Sequence, residues 1–302
     1  MNKTLIAVVG PTAIGKTALG IELASYYNTE ILSADSRQFF KEMTIGTAVP
    51  SLKELEAAKH HFIQHISIDK GYNIGLFEED ALNKLDQIFT NKNKAILVGG
   101  SGLYVDAVID GIDDFPDITI EIRENLQERL IKNGIESLQQ ELKLLDPVHF
   151  DKMDINNPQR LIRALEICIG TGKPYSSFTA LKRVKRPFQT LKIGLKAERE
   201  IIYDRINKRV DLMIDAGLID EAKALYPYRH LNALQTVGYR ELFTYFDGDS
   251  TLDTAIEEIK KNTRRFAKRQ LTWYRKDASI LWFEYTTPIE DIIEIIEKKV
   301  SL

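Results

Sequence analysis

The chain has 302 residues, enough for one large or two medium domains, and with 44 % hydrophobic residues it can bury a sizeable core. A net charge of −3 gives no hint of a polyanionic partner for the molecule as a whole, and a lone cysteine, Cys168, excludes a disulfide framework or a thiolate metal cluster within the chain. No basic leader opens the sequence and no apolar run approaches the roughly 20 residues that span a bilayer, so a cytoplasmic protein with no membrane partner is expected.

In chain order, TLIAVVG reads as a strand and GKTALGIELASYY as a helix. EILSAD is a second strand, followed by helices around Ser51 to His60 and at LFEEDALNKLDQIFT, and then by the strand KAILVGG. Strands alternating with helices predict a parallel sheet with covering helices, and TLKIGLKA and SILWFEYT read as later strands of that sheet. From about Asp113 to Gln189 the pattern changes to helices with apolar residues at i, i+3, i+4, among them a stripe of Leu126, Leu130, Leu138, Leu142 and Leu145 that reads as core. Cys168, within RLIRALEICIG, reads as a small buried hydrophobe. With the G-x-x-x-x-G-K-T stretch Gly10 to Thr17 set between the first strand and the first helix, the predicted fold is α/β, a P-loop NTPase-like parallel sheet core at 1–112 and 190–302 with an all-helical insertion domain at 113–189.

Between the first strand and helix stands Gly10-Pro11-Thr12-Ala13-Ile14-Gly15-Lys16-Thr17, the G-x-x-x-x-G-K-T pattern of a phosphate loop. Its glycines let backbone N–H groups and a helix N-terminus point at phosphate oxygens, Lys16 adds a point charge, and the Thr17 hydroxyl is placed to ligate Mg²⁺. Phosphate binding follows; which phosphate compound is bound does not. A kinase or triphosphatase normally carries an acidic residue at the end of a second strand, yet KAILV runs into Gly99-Gly100-Ser101-Gly102-Leu103-Tyr104. The strand that does end in a carboxylate is EILSAD, with Asp35 followed by Ser36, Arg37 and Gln38. Strand carboxyl ends line the ligand crevice of open α/β sheets, so Asp35 should face the loop as a metal ligand or a general base.

Charge is concentrated locally. KKNTRRFAKRQLTWYRK, from Lys260 to Lys276, holds eight basic residues and no acidic one, and Lys182, Arg183, Lys185 and Arg186 cluster around Pro187. Interleaved with Phe266, Trp273 and Tyr274, these runs point to nucleic acid. On a helix, Phe266, Gln270 and Trp273 share a stripe predicted to pack on the core, while Arg265, Lys268, Arg269 and Lys276 fall on a neighbouring stripe free to meet phosphates. His60, His61 and His65 in HHFIQHI lack a metal-site spacing and read instead as the start of a strand whose histidines hydrogen-bond to the core.

Taken together, GPTAIGKT, SADSRQ with IGTAVP, HHFIQHI, LVGGSGLY, NNPQRLIRALEI with TGKP, VGYRE and RRFAKRQLTWYR, in this order from about Ala7 to Trp273, resemble the tRNA dimethylallyltransferases (tRNA isopentenyltransferases). The resemblance implies that dimethylallyl diphosphate, not ATP, occupies the loop and that its five-carbon group goes to the exocyclic N6 amine of the adenosine 3′ to the anticodon. It makes Asp35 the base and adds Arg205 on the far side of the diphosphate with Arg209 a weaker candidate, while the charge on a departing diphosphate itself asks for Mg²⁺ as cofactor. For the anticodon stem-loop it implies contacts from Asp35 to Gln38, Ser101, Arg123, the run Gln159, Arg160, Leu161, Ile162, Arg163, and Val237, Gly238, Tyr239 and Arg240. The insertion and the basic helix with Arg265, Lys268 and Arg269 would grip the RNA. Ser101 departs from the family's usual threonine but keeps the hydroxyl. A monomer is expected. The rival readings are an ATP-dependent kinase of a nucleotide or small molecule, and an RNA-binding switch that senses a nucleotide.

Overall fold

A computed structural model describes residues 3–113, 115–179 and 185–300. Lys182 and Arg183 of the second basic cluster lie outside the described residues. The chain divides into two compact units, Met1–Asp110 with Lys185–Leu302, and Gly111–Val184.

In the first unit the elements run β1 (Thr4–Val9), α1 (Lys16–Tyr26), β2 (Ile31–Ser33), α2 (Leu52–Ala57), β3 (His60–His61), α3 (Ile74–Asn91), β4 (Lys94–Val98) and α4 (Gly102–Asp110). The helical unit holds α5 (Ile120–Asn133), α6 (Ile135–Leu145), α7 (Pro147–Phe150) and α8 (Pro158–Thr171). The chain then returns through β5 (Gln189–Lys196), α9 (Arg199–Asp215), α10 (Leu218–Leu225), α11 (Tyr239–Phe246), α12 (Leu252–Tyr274), β6 (Leu281–Glu284) and α13 (Ile289–Val300).

The six strands form one sheet in the order β3-β2-β4-β1-β5-β6, every neighbour parallel. Alternation along β1 explains the layers. Leu5, Ala7 and Val9 face a cluster with Phe77, Ala81 and Leu85 of α3 and Val105 and Val108 of α4. Ile6 and Val8 face the opposite side, with Leu19 and Leu23 of α1, Ile202 and Ile206 of α9, and Ile292 and Ile296 of α13. Because both faces are covered, the strand is apolar throughout and reads as a continuous run. A third cluster joins Val210, Leu218, Tyr239, Leu242 and Ile259 around α9 to α12.

Local signals place the ends of elements. Asn73 caps α3 by accepting from the Leu76 N–H at 3.0 Å, and Asn157, followed by Pro158 at the first helical position, caps α8 by accepting from Arg160 N–H at 3.2 Å. In the helical unit Leu126, Leu138 and Leu142 are buried with Leu161, Leu165 and Cys168, whereas Leu145, expected in the same stripe, lies at the exposed end of α6. Among the described residues, no helix is long and apolar enough to cross a membrane.

Candidate active site

The phosphate loop follows the central strand β1, and its glycines are required by geometry. Gly10 has φ +142°, and a Cβ there would stand 2.8 Å from the Leu195 carbonyl oxygen. Among the described residues the backbone N–H groups from Ala13 to Thr17 have no protein acceptor, and the Thr17 hydroxyl, at the first turn of α1, makes no hydrogen bond. A run of unpaired N–H groups at a helix N-terminus is an anion cradle.

Around this cradle stand Lys16, Asp35, Arg205 and Arg209. Lys16 Nζ donates to the Pro11 carbonyl at 2.8 Å. Burial pulls its pKa down to about 8, helped by Arg209 and opposed by the Asp35 carboxylate. Asp35 lies just beyond β2, where its Oδ1 accepts the Arg37 N–H at 3.2 Å. Burial raises the Asp35 pKa, against the pull of that hydrogen bond and of Lys16, Arg37 and Arg209. A carboxylate so raised is a better proton acceptor than one in water. Arg205 Nε donates to the Ala13 carbonyl at 2.7 Å, and its guanidinium lies over the Tyr285 ring at 5.3 Å. Arg209, one helical turn on, reaches the Thr12 hydroxyl at 3.5 Å, so Arg205 and Arg209 of α9 both meet the loop. The i, i+4 spacing was the signal that joined them.

The turn after β4 closes the other side. The Ser36 N–H donates to Ser101 Oγ at 3.2 Å, and the two hydroxyls lie 3.3 Å apart, so Ser101 ties the β4 turn to the Asp35 turn. Gln38 is committed to the protein on both ends of its amide: Oε1 accepts from Ser33 Oγ at 3.2 Å, and Nε2 donates to the Ala48 carbonyl at 2.9 Å and the Thr47 carbonyl at 3.2 Å. Arg37 donates to the carbonyls of Asn232 and Ala233 at 3.2 and 3.0 Å.

Sequence reasoning missed Gln270 as a site residue. Its Oε1 accepts the Thr12 N–H at 2.8 Å and its Nε2 donates to the Gly100 carbonyl at 2.9 Å, with the side chain buried. The basic helix α12 is thereby pinned to both the phosphate loop and the β4 turn. Tyr274, one turn further, donates to the Gly99 carbonyl at 3.4 Å.

The predicted packing of α12 needs correction. Ala267, Gln270 and Tyr274 are buried, while Phe266 and Trp273 are 38 % and 40 % exposed. The inward stripe is rotated by about one residue, because Trp273 packs edgewise over Gly102 and donates from Nε1 to Asp106 at 2.9 Å. Arg265, Lys268, Arg269 and Lys276 are exposed, as expected of a face free to meet phosphates.

Other expected RNA contacts divide in two. Tyr239 is fully buried, its hydroxyl donating to Glu221 at 2.7 Å, and Gly238 beside it is buried, whereas Arg240 is exposed. In the helical unit Leu161 and Ile162 point into the core, and Gln159 and Arg160 are exposed. Arg123 and Arg163, both about half exposed, pair with the buried Glu166 carboxylate at 3.7 and 3.2 Å. The side chains of Tyr239, Leu161 and Ile162 are therefore core rather than contact surface: each apolar side chain is drawn inward while its polar neighbour stays out. Arg186 of the second basic cluster also turns inward, pairing with Glu78 at 2.5 Å and donating to the carbonyls of Ala107 and Val108 at 2.7 and 3.0 Å. Lys185 remains exposed.

The histidines behave as the start of a strand. His60 Nδ1 meets the Ala58 carbonyl at 2.7 Å and His61 Nε2 meets Glu30 at 2.5 Å. His65 departs from expectation: its ring nitrogens have no hydrogen-bond partner among the described residues, and the ring lies edge-on to Phe39, Phe62 and Tyr72. Among the described residues, no group of three or more His, Cys, Asp or Glu side chains could hold a metal.

The IPP transferase family matches residues 38–277. The chain is 60 % identical over 301 residues to the tRNA dimethylallyltransferase of Christiangramia forsetii, covering 100 % of both proteins. It is 57 % identical to that of Flavobacterium psychrophilum, over 98 % of this chain and 99 % of the relative. Among solved structures, the full-length tRNA isopentenylpyrophosphate transferase of Bacillus halodurans is similar with a TM-score of 0.71 at 38 % identity, over 99 % of this chain and 96 % of that one. A eukaryotic dimethylallyltransferase acting on tRNA is similar with a TM-score of 0.85 at 27 % identity, over 99 % and 80 %. A strand-loop-helix anion cradle on a parallel sheet, with likeness of this extent along the whole chain, establishes that the chain belongs to the IPP transferase family.

Proposed function

We infer that this chain is a tRNA dimethylallyltransferase, which moves the dimethylallyl group of dimethylallyl diphosphate onto the exocyclic N6 amine of the adenosine 3′-adjacent to the anticodon and releases diphosphate. The observation that carries the reading is the anion cradle itself, the N–H groups from Ala13 to Thr17 left without a protein acceptor among the described residues and Lys16 folded onto the loop, with the Asp35 carboxylate standing beyond the end of β2 near enough to Lys16 to act on its charge. An adenine amine is a poor nucleophile because its lone pair is delocalised into the ring. Its nitrogen attacks the allylic C1, the C1–O bond breaks, the electron pair leaves on the diphosphate, and the amine proton passes to Asp35. Lys16, the N–H groups from Ala13 to Thr17, and Arg205 with Arg209 neutralise the charge that develops on the departing diphosphate.

Magnesium fits the site. Thr17 offers a hydroxyl with no hydrogen-bond partner among the described residues, and this ion keeps several waters while taking few protein oxygens. When bound it would be held by Thr17 and the diphosphate oxygens and would add positive charge at the leaving group.

The target base must leave its stack to reach Asp35. The exposed cations Arg265, Lys268 and Arg269 of α12, Arg240, and Arg160 and Arg123 of the helical unit, with the half-exposed Arg163 and the polar Gln159, supply phosphate and loop contacts with the anticodon stem-loop. Its compartment is the cytoplasm. The test is incubation with unmodified tRNA and either allyl-labelled dimethylallyl diphosphate or γ-labelled ATP. Label entering the RNA from the first supports the reading, and phosphoryl transfer from the second overturns it.

A further inference from the structure

We propose that Gln270 closes the phosphate loop on the side of the terminal phosphate, fitting it to a diphosphate ester and against a nucleoside triphosphate. This rests on the diphosphate reading of the loop above. In a phosphate loop the N–H groups nearest the helix cradle the inner phosphates, and the lysine tip marks the terminal one. Here the N–H groups from Ala13 to Thr17 have no protein acceptor among the described residues, but the next one outward, on Thr12, is taken by Gln270 Oε1 at 2.8 Å. The Gln270 amide and the tip of Lys16 both border Gly100: a Cβ built there would stand 2.3 Å from Gln270 Nε2 and 3.6 Å from Lys16 Nζ.

The amide is fixed, not poised. Both of its ends are hydrogen-bonded, it is 5 % exposed, and Gly100 is the residue that leaves it room, since any side chain there would collide with Nε2. A third phosphate reaching past Lys16 would have to expel this side chain, leaving the Gly100 carbonyl without its donor. Two phosphates need not. Charge alone would rank these ligands the other way, because a tripolyphosphate carries more negative charge toward Lys16, Arg205 and Arg209.

The probes are inorganic diphosphate and inorganic tripolyphosphate, each with Mg²⁺, titrated calorimetrically into the full chain. Wild type should bind tripolyphosphate at least about tenfold more weakly than diphosphate, and Gln270→Ala should bring the two to within about threefold. Gln270→Asn, one methylene shorter, withdraws the amide from Thr12 while keeping the helix polar at this point, and should shift the ratio in the same direction. Circular dichroism establishes that each variant is folded. Wild type binding tripolyphosphate as well as diphosphate overturns the proposal without any variant, and so does an unchanged ratio in a folded variant. Failure of diphosphate and of dimethylallyl diphosphate to bind wild type at all would instead overturn the diphosphate reading itself.

Discussion

Dimethylallyl diphosphate affinity should fall about tenfold between about pH 7 and about pH 9, and Lys16 should be the cause. In the free protein burial holds its pKa near 8, with Asp35 opposing and Arg209 reinforcing the shift. Bound diphosphate stabilises the ammonium, so the complex retains the proton over this range. Below pH 8 the side chain is already charged and binding needs no proton; above it, binding must take one up and Kd rises. For a single site with that pKa, about nine-tenths of Lys16 is charged at pH 7 and about one-tenth at pH 9, which gives the tenfold change and an uptake approaching about 0.9 proton per ligand at pH 9. Isothermal titration calorimetry in two buffers of different ionisation enthalpy counts that proton directly. Lys16→Gln should bind more weakly and with no uptake. Absence of uptake by wild type at pH 9, or an equal uptake by Lys16→Gln, would refute the reasoning.

Asp35→Asn should leave both substrates binding within about tenfold of wild type while turnover drops by about 10² or more, measured by single-turnover label transfer; a loss under about threefold removes Asp35 from the mechanism. Because burial raises Asp35, wild-type turnover should decline on the acid side as the carboxylate protonates, and the Asn variant should lack that limb. Replacing Arg265, Lys268 and Arg269 together by Gln should weaken tRNA binding and flatten its dependence on log salt by about two units, with dimethylallyl diphosphate affinity held; an unchanged slope in a folded variant makes α12 a solvated face only. Arg186→Ala leaves Glu78 unpaired at a site where the two side chains are 8 % and 16 % exposed, so denaturant unfolding should register a loss of about 3–5 kcal/mol. A loss below about 1 kcal/mol would show that water reaches Glu78.

The phosphate loop and the layers were legible because both rest on local pattern. A G-x-x-x-x-G-K-T turn after an apolar strand is determined within a dozen residues, and the parallel sheet follows from strands alternating with helices. What escaped was set by contacts far along the chain. On α12, two stripes a residue apart compete, one carrying the larger apolar side chains Phe266 and Trp273, the other Ala267 and Tyr274. Only the small Gly102 and the Asp106 carboxylate, more than 160 residues away, decide that Trp273 lies at the surface. Arg186 looked like one more cation in a run, and nothing nearby in sequence announces Glu78 or the carbonyls of Ala107 and Val108 that receive it. Gln270 was read as packing, and its burial bears that out, but its two hydrogen-bond partners belong to turns 170 and 258 residues earlier.

The strand order has a consequence for how the molecule is made. β1 lies between β4 and β5, and Thr4 pairs with Lys94 on one side and Gln189 on the other. During synthesis β1 and its phosphate loop therefore emerge ahead of the other described strands of the sheet, yet β1 waits for a second neighbour until some 185 further residues have been translated, roughly ten to forty seconds at ordinary elongation rates. Throughout that interval one edge of the most apolar strand in the molecule stands open, a template for unwanted pairing. The helical unit, whose contacts are local, is translated whole before that edge is covered and can fold during the wait.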